Sequence, residues 1–366
     1  MRNFMVGNNF DEKLVDEIIE LNNSGAVEQI NTLAGQKNFK IKEMYGSTTS
    51  TFPQYTARPL YRLPDKSIEE TMRIKKKLED NGIMFNLTMN GPNVDKTKFD
   101  AAGFVEFLRK YEIKRITVTS TLLLEVLQQS DLDIDIELST IYHISSIYQM
   151  ELLLRRYPKI KKVCMNLQKN RDMNFLRDFS KTFGQYIDVE VMVNEFCLFH
   201  CPNRMSCYMN HQNVKTVEES KLFSNYPMRD CIHARATDFA EWLKTRFILP
   251  EWLGYYEDIG INHFKITGRT SSTDFVLKVL KIYLGMIPNY TFGELWYHLE
   301  NIGNTRENKF TPDLLKKIGP EHLTEYEQFV YGEQQELDVD NNHNAMSYYE
   351  GKMRYFADKI TRMVSK

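Results

Sequence analysis

No uninterrupted apolar run approaches the roughly 18 residues needed to span a bilayer. The opening MRNFMVGNNFDEK also turns polar too early for a secretory apolar region. Membrane insertion is therefore not expected, and the chain reads as cytoplasmic. Charge of one sign is lacking too. Lys and Arg number 47 against 49 Asp and Glu, a formal net charge of -2, so no basic surplus announces nucleic acid or an anionic membrane. A local basic groove stays open, and RNA is not excluded. Cysteine is scarce, five in 366 residues, too few for a disulfide framework, which a reducing compartment would disfavour in any case. The sequence has no Gly-x-Ser-x-Gly elbow and no His-Glu-x-x-His helix, so neither a serine hydrolase of that type nor a zincin is supported. Internal repeats and low-complexity tracts are also missing.

What is present is a pattern. Short β-rich apolar runs alternate with longer segments of helical period, as in parallel βα units. Eight such runs lie near Phe4, Ile41, Phe85, Ile116, Ile136, Val163, Val191 and Phe264, the number a closed barrel requires. Between them SIEETMRIKKKLEDNG brings Ile68, Met72, Ile74 and Leu78 near one helical face, with Gly82 where a stop belongs. The expected fold is α/β, a (β/α)8 TIM-barrel-like domain over residues 1–285 with a small helical extension over 286–366. The polar tract 332–344 reads as a mobile loop or linker. Trp296, Tyr297, Tyr348, Tyr349 and Tyr355 in the extension could form a partner interface, although aromatics at helical spacing are more often core.

Several strands end in polar residues, among them Asn8, Ser139, Asn166 and the pair Asn194-Glu195. The C-terminal ends of barrel strands share one face, where active sites sit, so these are candidate substrate contacts. Small polar residues also simply begin turns.

Four cysteines follow the seventh strand as Cys197-x3-Cys201-x5-Cys207-x23-Cys231. Four thiolates can close a tetrahedral zinc site or hold an iron-sulfur cluster, and spacing alone does not choose. Their place after a strand favours an active site over a remote structural knot. His200, His211 and His233 interleave with them and could replace a ligand. The Cys-x3-Cys opening resembles that of radical S-adenosylmethionine enzymes, but the third cysteine comes five residues on instead of two, and the motif follows the seventh strand. Cys164, in mid-strand, reads as a buried inert thiol.

In HFKITGRTSS, Lys265 and Arg269 emerge at the end of the last strand, where they could clamp a carboxylate or phosphate. Gly268 would let the backbone pass close to a ligand. Glu195, beside the cysteines, is the candidate for proton transfer.

The segment GINHFKITGRTSS resembles the Lys-Ile-Glu-Gly-Arg signature of the collagenase-like peptidase family U32. VEVMVNEFCLFHCPNR resembles that family's strand leading into its metal-binding cysteines, and IELSTIYHISS and VCMNLQKNRD its middle strands. The resemblance implies a barrel holding a 4Fe-4S cluster through Cys197, Cys201, Cys207 and Cys231. It also implies oxygen-independent hydroxylation of an aromatic, RNA or peptide substrate, with prephenate as oxygen source held by Lys265 and Arg269. Peptidase activity, or a non-catalytic iron-sulfur subunit partnering a homologous barrel, are the alternatives. Thr267 stands where the signature has glutamate, which leaves substrate and reaction open.

Overall fold

The computed structural model describes residues 1–23, 39–219, 225–296 and 310–365. Eight parallel strands, β1 (Arg2–Gly7), β2 (Phe39–Gly46), β3 (Met84–Met89), β4 (Arg115–Val118), β5 (Asp135–Leu138), β6 (Ile160–Cys164), β7 (Asp188–Met192) and β8 (His263–Ile266), close into a barrel in chain order. Closure is made by β1 on β8, with Asn3 opposite His263 and Val6 opposite Ile266. The chain is a (β/α)8 barrel. All eight strands fall on the runs named above.

Helices α1 (Glu12–Asn23), α2 (Ile68–Asp80), α3 (Ala101–Lys110), α4 (Thr121–Gln129), α5 (Ile147–Arg156) and α6 (Met173–Phe183) cover the first six strands in turn. Helix α2 shows how local sequence sets such an element. Ser67 Oγ accepts from Glu70 N at 3.1 Å while Glu70 Oε2 accepts from Ser67 N at 2.9 Å, a reciprocal cap that satisfies two otherwise orphaned amides. Ile74 and Leu78 bury against the sheet, and Gly82, at φ 70°, turns the chain into β3 where a side chain would be strained.

The strands divide their faces unusually. Phe4, Val6, Ile41, Phe85, Leu87, Ile116, Ile136, Val163, Val189, Val191, Phe264 and Ile266 are all buried and belong to one apolar core with the helices. Barrel interiors are commonly filled by branched apolar layers, but here Glu43, Asn86, Glu137, Lys162, Glu190 and Lys265 meet inside as a layer of ions and amides.

The connection from β7 to β8 is long and carries the four cysteines. It contains α7 (Arg204–Asn213), α8 (Asn225–Thr237) and α9 (Phe239–Lys244). It folds over the C-terminal mouth of the barrel, held there by Leu60 N donating to Val214 O at 2.9 Å and by Gln212, which accepts from Asn93 N at 3.0 Å and donates to Gln54 O at 2.8 Å.

After β8, α10 (Thr273–Tyr283) completes the barrel, and α11 (Thr324–Tyr331) and α12 (His343–Val364) form the C-terminal helices. Tyr326 Oη meets the buried Arg171, and Lys244 pairs with Glu350 at 2.8 Å. The tract 332–344 differs from the loose linker expected. A short turn spans Glu333–Glu336, Gln335 donates to Arg171 O at 2.9 Å, and Asp340 pairs with Lys169 and His200. Polar composition there serves docking onto the barrel rim. Of the aromatics considered for an interface, Trp296 and Tyr349 are buried, Tyr348 and Tyr355 are exposed, and Tyr297 lies outside the described residues. No described helix is long and apolar enough to cross a membrane.

Candidate functional site

Two contiguous cavities occupy the mouth of the barrel. The outer one is walled by Cys197, Cys201, Cys207 and Cys231. The inner one reaches down between the strand ends to Tyr45, Thr88, Ser139, Cys164 and Lys265. Arg58, Glu195, Tyr208, Thr267, Gly268 and Arg269 line both. All four cysteines after β7 thus open into one space at the face where barrel enzymes work.

Their surroundings bear on what they could hold. Burial pushes the Cys197 thiol up to about 12, with Glu195 and Cys231 adding to the effect and Arg204 and Arg235 opposing it. Burial also pushes Cys207 up to about 11, aided by Cys231 and Cys201 and opposed by Arg58. The thiols therefore feel one another across the cavity. Among the described residues, three ligand atoms come within 4.8 Å of one another at Glu43, Glu137 and Glu190, and no three of the cysteines do so. A single tetrahedral zinc would draw its sulfurs to roughly 3.8 Å apart, given Zn–S near 2.3 Å. Four thiols walling one cavity could hold a zinc ion or, spread farther apart, an iron-sulfur cluster. The three carboxylates are no vacant cation site, because Lys162 and Lys265 already sit among them.

Arg269 is buried, and among the described residues its guanidinium donates only to neutral oxygens, Ser47 Oγ and Asn90 Oδ1, each at 3.1 Å. Burial, and then the nearby Arg58, depress its pKa to about 9. Five arginines line the outer cavity (Arg58, Arg62, Arg204, Arg235 and Arg269) against one carboxylate, Glu195. Gly7 permits this arrangement, since a Cβ there would stand 2.5 Å from Arg269 N. At Gly268, φ is 135°, and the chain passes directly between the two cavities.

The expected contacts are placed differently. Lys265 lines the inner cavity, where its Nζ is already paired with carboxylates, 2.5 Å from Glu137 and 2.9 Å from Glu190. Asn8 is placed in a turn. Its Oδ1 accepts from Phe10 N at 2.8 Å in the turn after β1, and it lines neither cavity. Asn166 likewise caps a turn through Gln168 N at 3.1 Å. Ser139 does border the inner cavity while its Oγ accepts from Ile141 N at 3.2 Å. Asn194 staples two strand ends, its Oδ1 accepting from Thr267 N at 2.7 Å and Thr267 Oγ1 at 3.0 Å. Thr267, at the position of the signature's glutamate, therefore joins β8 to the strand that leads into the cysteines.

Glu195 borders both cavities, with Oε1 accepting from Phe196 N at 3.0 Å and 3.9 Å from Cys197 Sγ. His211 lines the outer cavity, and burial with Arg58 and Arg62 nearby depresses it to about 4. His200 instead turns away to Asp340, Nε2 to Oδ1 2.8 Å. Cys164 is buried in the inner wall, and burial raises its thiol far above the ordinary range. Reading the sequence missed Arg58, Arg204, Arg235 and Tyr208, which carry no local signal and reach the site only through tertiary folding.

The chain is 20% identical over 266 residues to the uncharacterized protease MJ1657 of Methanocaldococcus jannaschii, covering 70% of this chain and 77% of that protein. The chain resembles the U32 peptidase family. Among solved structures it is similar to the U32 peptidase Mk0906 (TM-score 0.42, 12% identity, 72% of this chain and 91% of that one). It is also similar to CpGH84B (TM-score 0.35, 10% identity, 100% of this chain and 73% of that one). No family model matches.

Proposed function

We propose that this U32-like barrel is an iron-sulfur enzyme that modifies its substrate by oxygen-independent hydroxylation or a related reaction, using a carboxylate-bearing donor such as prephenate. The observation that supports it most is the convergence of four thiols and a buried arginine without a carboxylate partner on one cavity. Cys197, Cys201, Cys207 and Cys231 would hold a 4Fe-4S cluster, which supplies a Lewis-acidic iron or an electron relay when bound.

The protein's own groups do the rest. Arg269, with Arg58 in place of Lys265, binds the donor's carboxylate. A buried guanidinium bonded only to neutral oxygens gains most from an anion, because its desolvation is otherwise uncompensated. Glu195, open to both cavities, takes or returns a proton at its carboxylate oxygen. Tyr208 and Phe196 limit water at the cluster wall.

Hydrolysis by a cysteine nucleophile fits less well. A thiol near 12 is ionised to only ~10⁻⁵ at neutral pH, and the thiolate is the reactive form. Among the described residues the carboxylate lining this cavity is Glu195, which raises the Cys197 thiol further.

The test is purification without oxygen, with iron and sulfide assays and an absorption spectrum for wild type and Cys201→Ala. About four irons and four sulfides per chain, with a broad band near ~400 nm that is lost in the variant, is the expected result. Zinc in stoichiometric amount, or proteolysis by cluster-free protein that Cys197→Ser abolishes, would overturn the proposal in favour of a zinc protein or a peptidase.

A further inference from the structure

Two of the arginines at the outer cavity do something other than face an incoming anion. Arg235 is 3% exposed. Its Nη2 donates to Cys231 Sγ at 3.4 Å, its Nε donates to Cys231 O at 3.0 Å, and its Nη1 donates to Phe196 O. The guanidinium plane lies over the rings of Phe196 (4.6 Å) and Trp242 (5.4 Å). Phe196 immediately precedes Cys197. One side chain therefore ties the segment carrying the first cysteine to the helix carrying the last, and aims an N–H at a sulfur. Arg204, 7% exposed, also lines the cavity and opposes the rise of the Cys197 thiol. Its Nη2 donates to Leu198 O at 3.0 Å, and its Nε is buried with no partner.

Neither guanidinium forms an ion pair among the described residues, although each is removed from water. Burying a cation this way costs several kcal/mol unless an anion lies close by. Among the described residues lining the outer cavity, the carboxylate is Glu195 and the thiols are those of the four cysteines. With thiolates bound to metal, the positive charges and the N–H···S contact draw electron density from sulfur and favour the more reduced, more negative state of the bound group.

We infer that Arg235 is a positioning residue that raises the reduction potential of the metal-thiolate group held by Cys197, Cys201, Cys207 and Cys231, with Arg204 as a second cation acting on the same group. The inference rests on the iron-sulfur reading above. A purely structural clamp would need only the two carbonyl contacts. The bond to sulfur and the missing carboxylate are what a clamp leaves unexplained.

The experiment uses the full chain loaded without oxygen. It compares wild type, Arg235→Lys and Arg235→Gln by iron and sulfide assay and by redox titration followed by absorption and electron paramagnetic resonance. The expected result is wild-type iron content, with the glutamine variant reduced only at lower potential and the lysine variant in between, because lysine keeps the charge and loses the planar two-point contact. An unchanged potential in a fully loaded Arg235→Gln protein overturns the inference. If that variant does not load, Arg204→Gln decides the matter: a lowered potential there supports the inference and an unchanged one overturns it. Wild type that binds no cluster sinks the reading underneath and is recognised by the metal assay alone, before any potential is measured.

Discussion

Lys162→Met is the perturbation that most directly tests the ionic layer inside the barrel. Lys162 is 2% exposed, with Nζ 2.7 Å from Glu190 and 3.2 Å from both Glu43 and Glu137. Without it, three carboxylates whose oxygens lie within 4.8 Å of one another share Lys265 and the half-buried Arg115, which reaches Glu43 at 3.1 Å. At an effective dielectric near 20, each such like-charge pair costs about 3 kcal/mol. Breaking a buried ion pair from one side typically costs about 3–5 kcal/mol. At or below about 2 °C per kcal/mol for a chain of this length, the melting temperature should fall by roughly 5–10 °C. The pH dependence gives the sharper check. Glu190 is already raised above the ordinary carboxyl range by burial and then by Glu137, against the pull of both lysines. Removing Lys162 raises it further, so the folded variant binds a proton that the unfolded chain releases. Its stability then falls as pH climbs through that window and recovers below it. Glu137 has the opposite sign. Burial would raise it, but Lys162 and Lys265 hold it near 2, so its contribution is present above the ordinary carboxyl value and lost as pH falls toward 2. Scanning calorimetry of both proteins from roughly pH 5 to pH 8 should show the gap between them widening with pH. A gap that is absent near neutrality, or constant across the range, would refute the assignment of Lys162 as the layer's counter-charge.

Arg269→Met should separate binding from stability: thermal unfolding within about 1 kcal/mol of wild type, because no ion pair is broken, and calorimetric affinity for prephenate down by ~10–100-fold. Equal affinity in the two proteins would remove Arg269 from the site. Gly7→Ala places a Cβ 2.5 Å from the Arg269 backbone nitrogen and 3.0 Å from its Cα, where nothing flexible can yield. Chemical denaturation should show a loss of about 1–3 kcal/mol, and an unaltered midpoint would mean β1 does not approach that segment. Glu195→Gln should keep its iron and lose turnover by ~10²–10⁴-fold once a substrate is in hand, whereas unchanged turnover would assign the proton transfer elsewhere.

How much of this was legible in the sequence differs between fold and site. The strands announced themselves because they carry alternating apolar residues for the outer face, such as Phe264 and Ile266 in β8, and several are followed by a residue suited to a turn. The cysteines were visible as a local cluster, and their common cavity follows from their place after β7. The inward charges were also in plain sight, one near the middle of each of β2, β5, β6, β7 and β8: Glu43, Glu137, Lys162, Glu190 and Lys265. What could not be seen was their convergence, because each partner lies on a different strand. Lys265 was assigned to a ligand for that reason: only the closed barrel shows Glu137, 128 positions earlier, beside it. Arg58 sits in an irregular loop between β2 and α2, where neither periodicity nor spacing gives it a direction.

The distribution of compensation along the barrel axis then argues for what the mouth receives. Inside, every buried ammonium meets carboxylates: Lys162 has three and Lys265 two. A few residues past the end of β8, at Arg269, the pattern stops, and among the described residues the buried guanidinium is given only a hydroxyl and an amide oxygen. If Arg269 were there for stability alone, a carboxylate in place of Asn90 would pair it at little cost, as Glu137 pairs Lys265. A neutral partner holds the guanidinium in position while leaving its charge for something that arrives later. The lysine layer below keeps its own charges satisfied and so does not compete for that anion. The proposed anionic donor would thus be drawn to the level of Arg269 and Arg58, beside Glu195 and the cysteine wall, instead of sinking into the barrel.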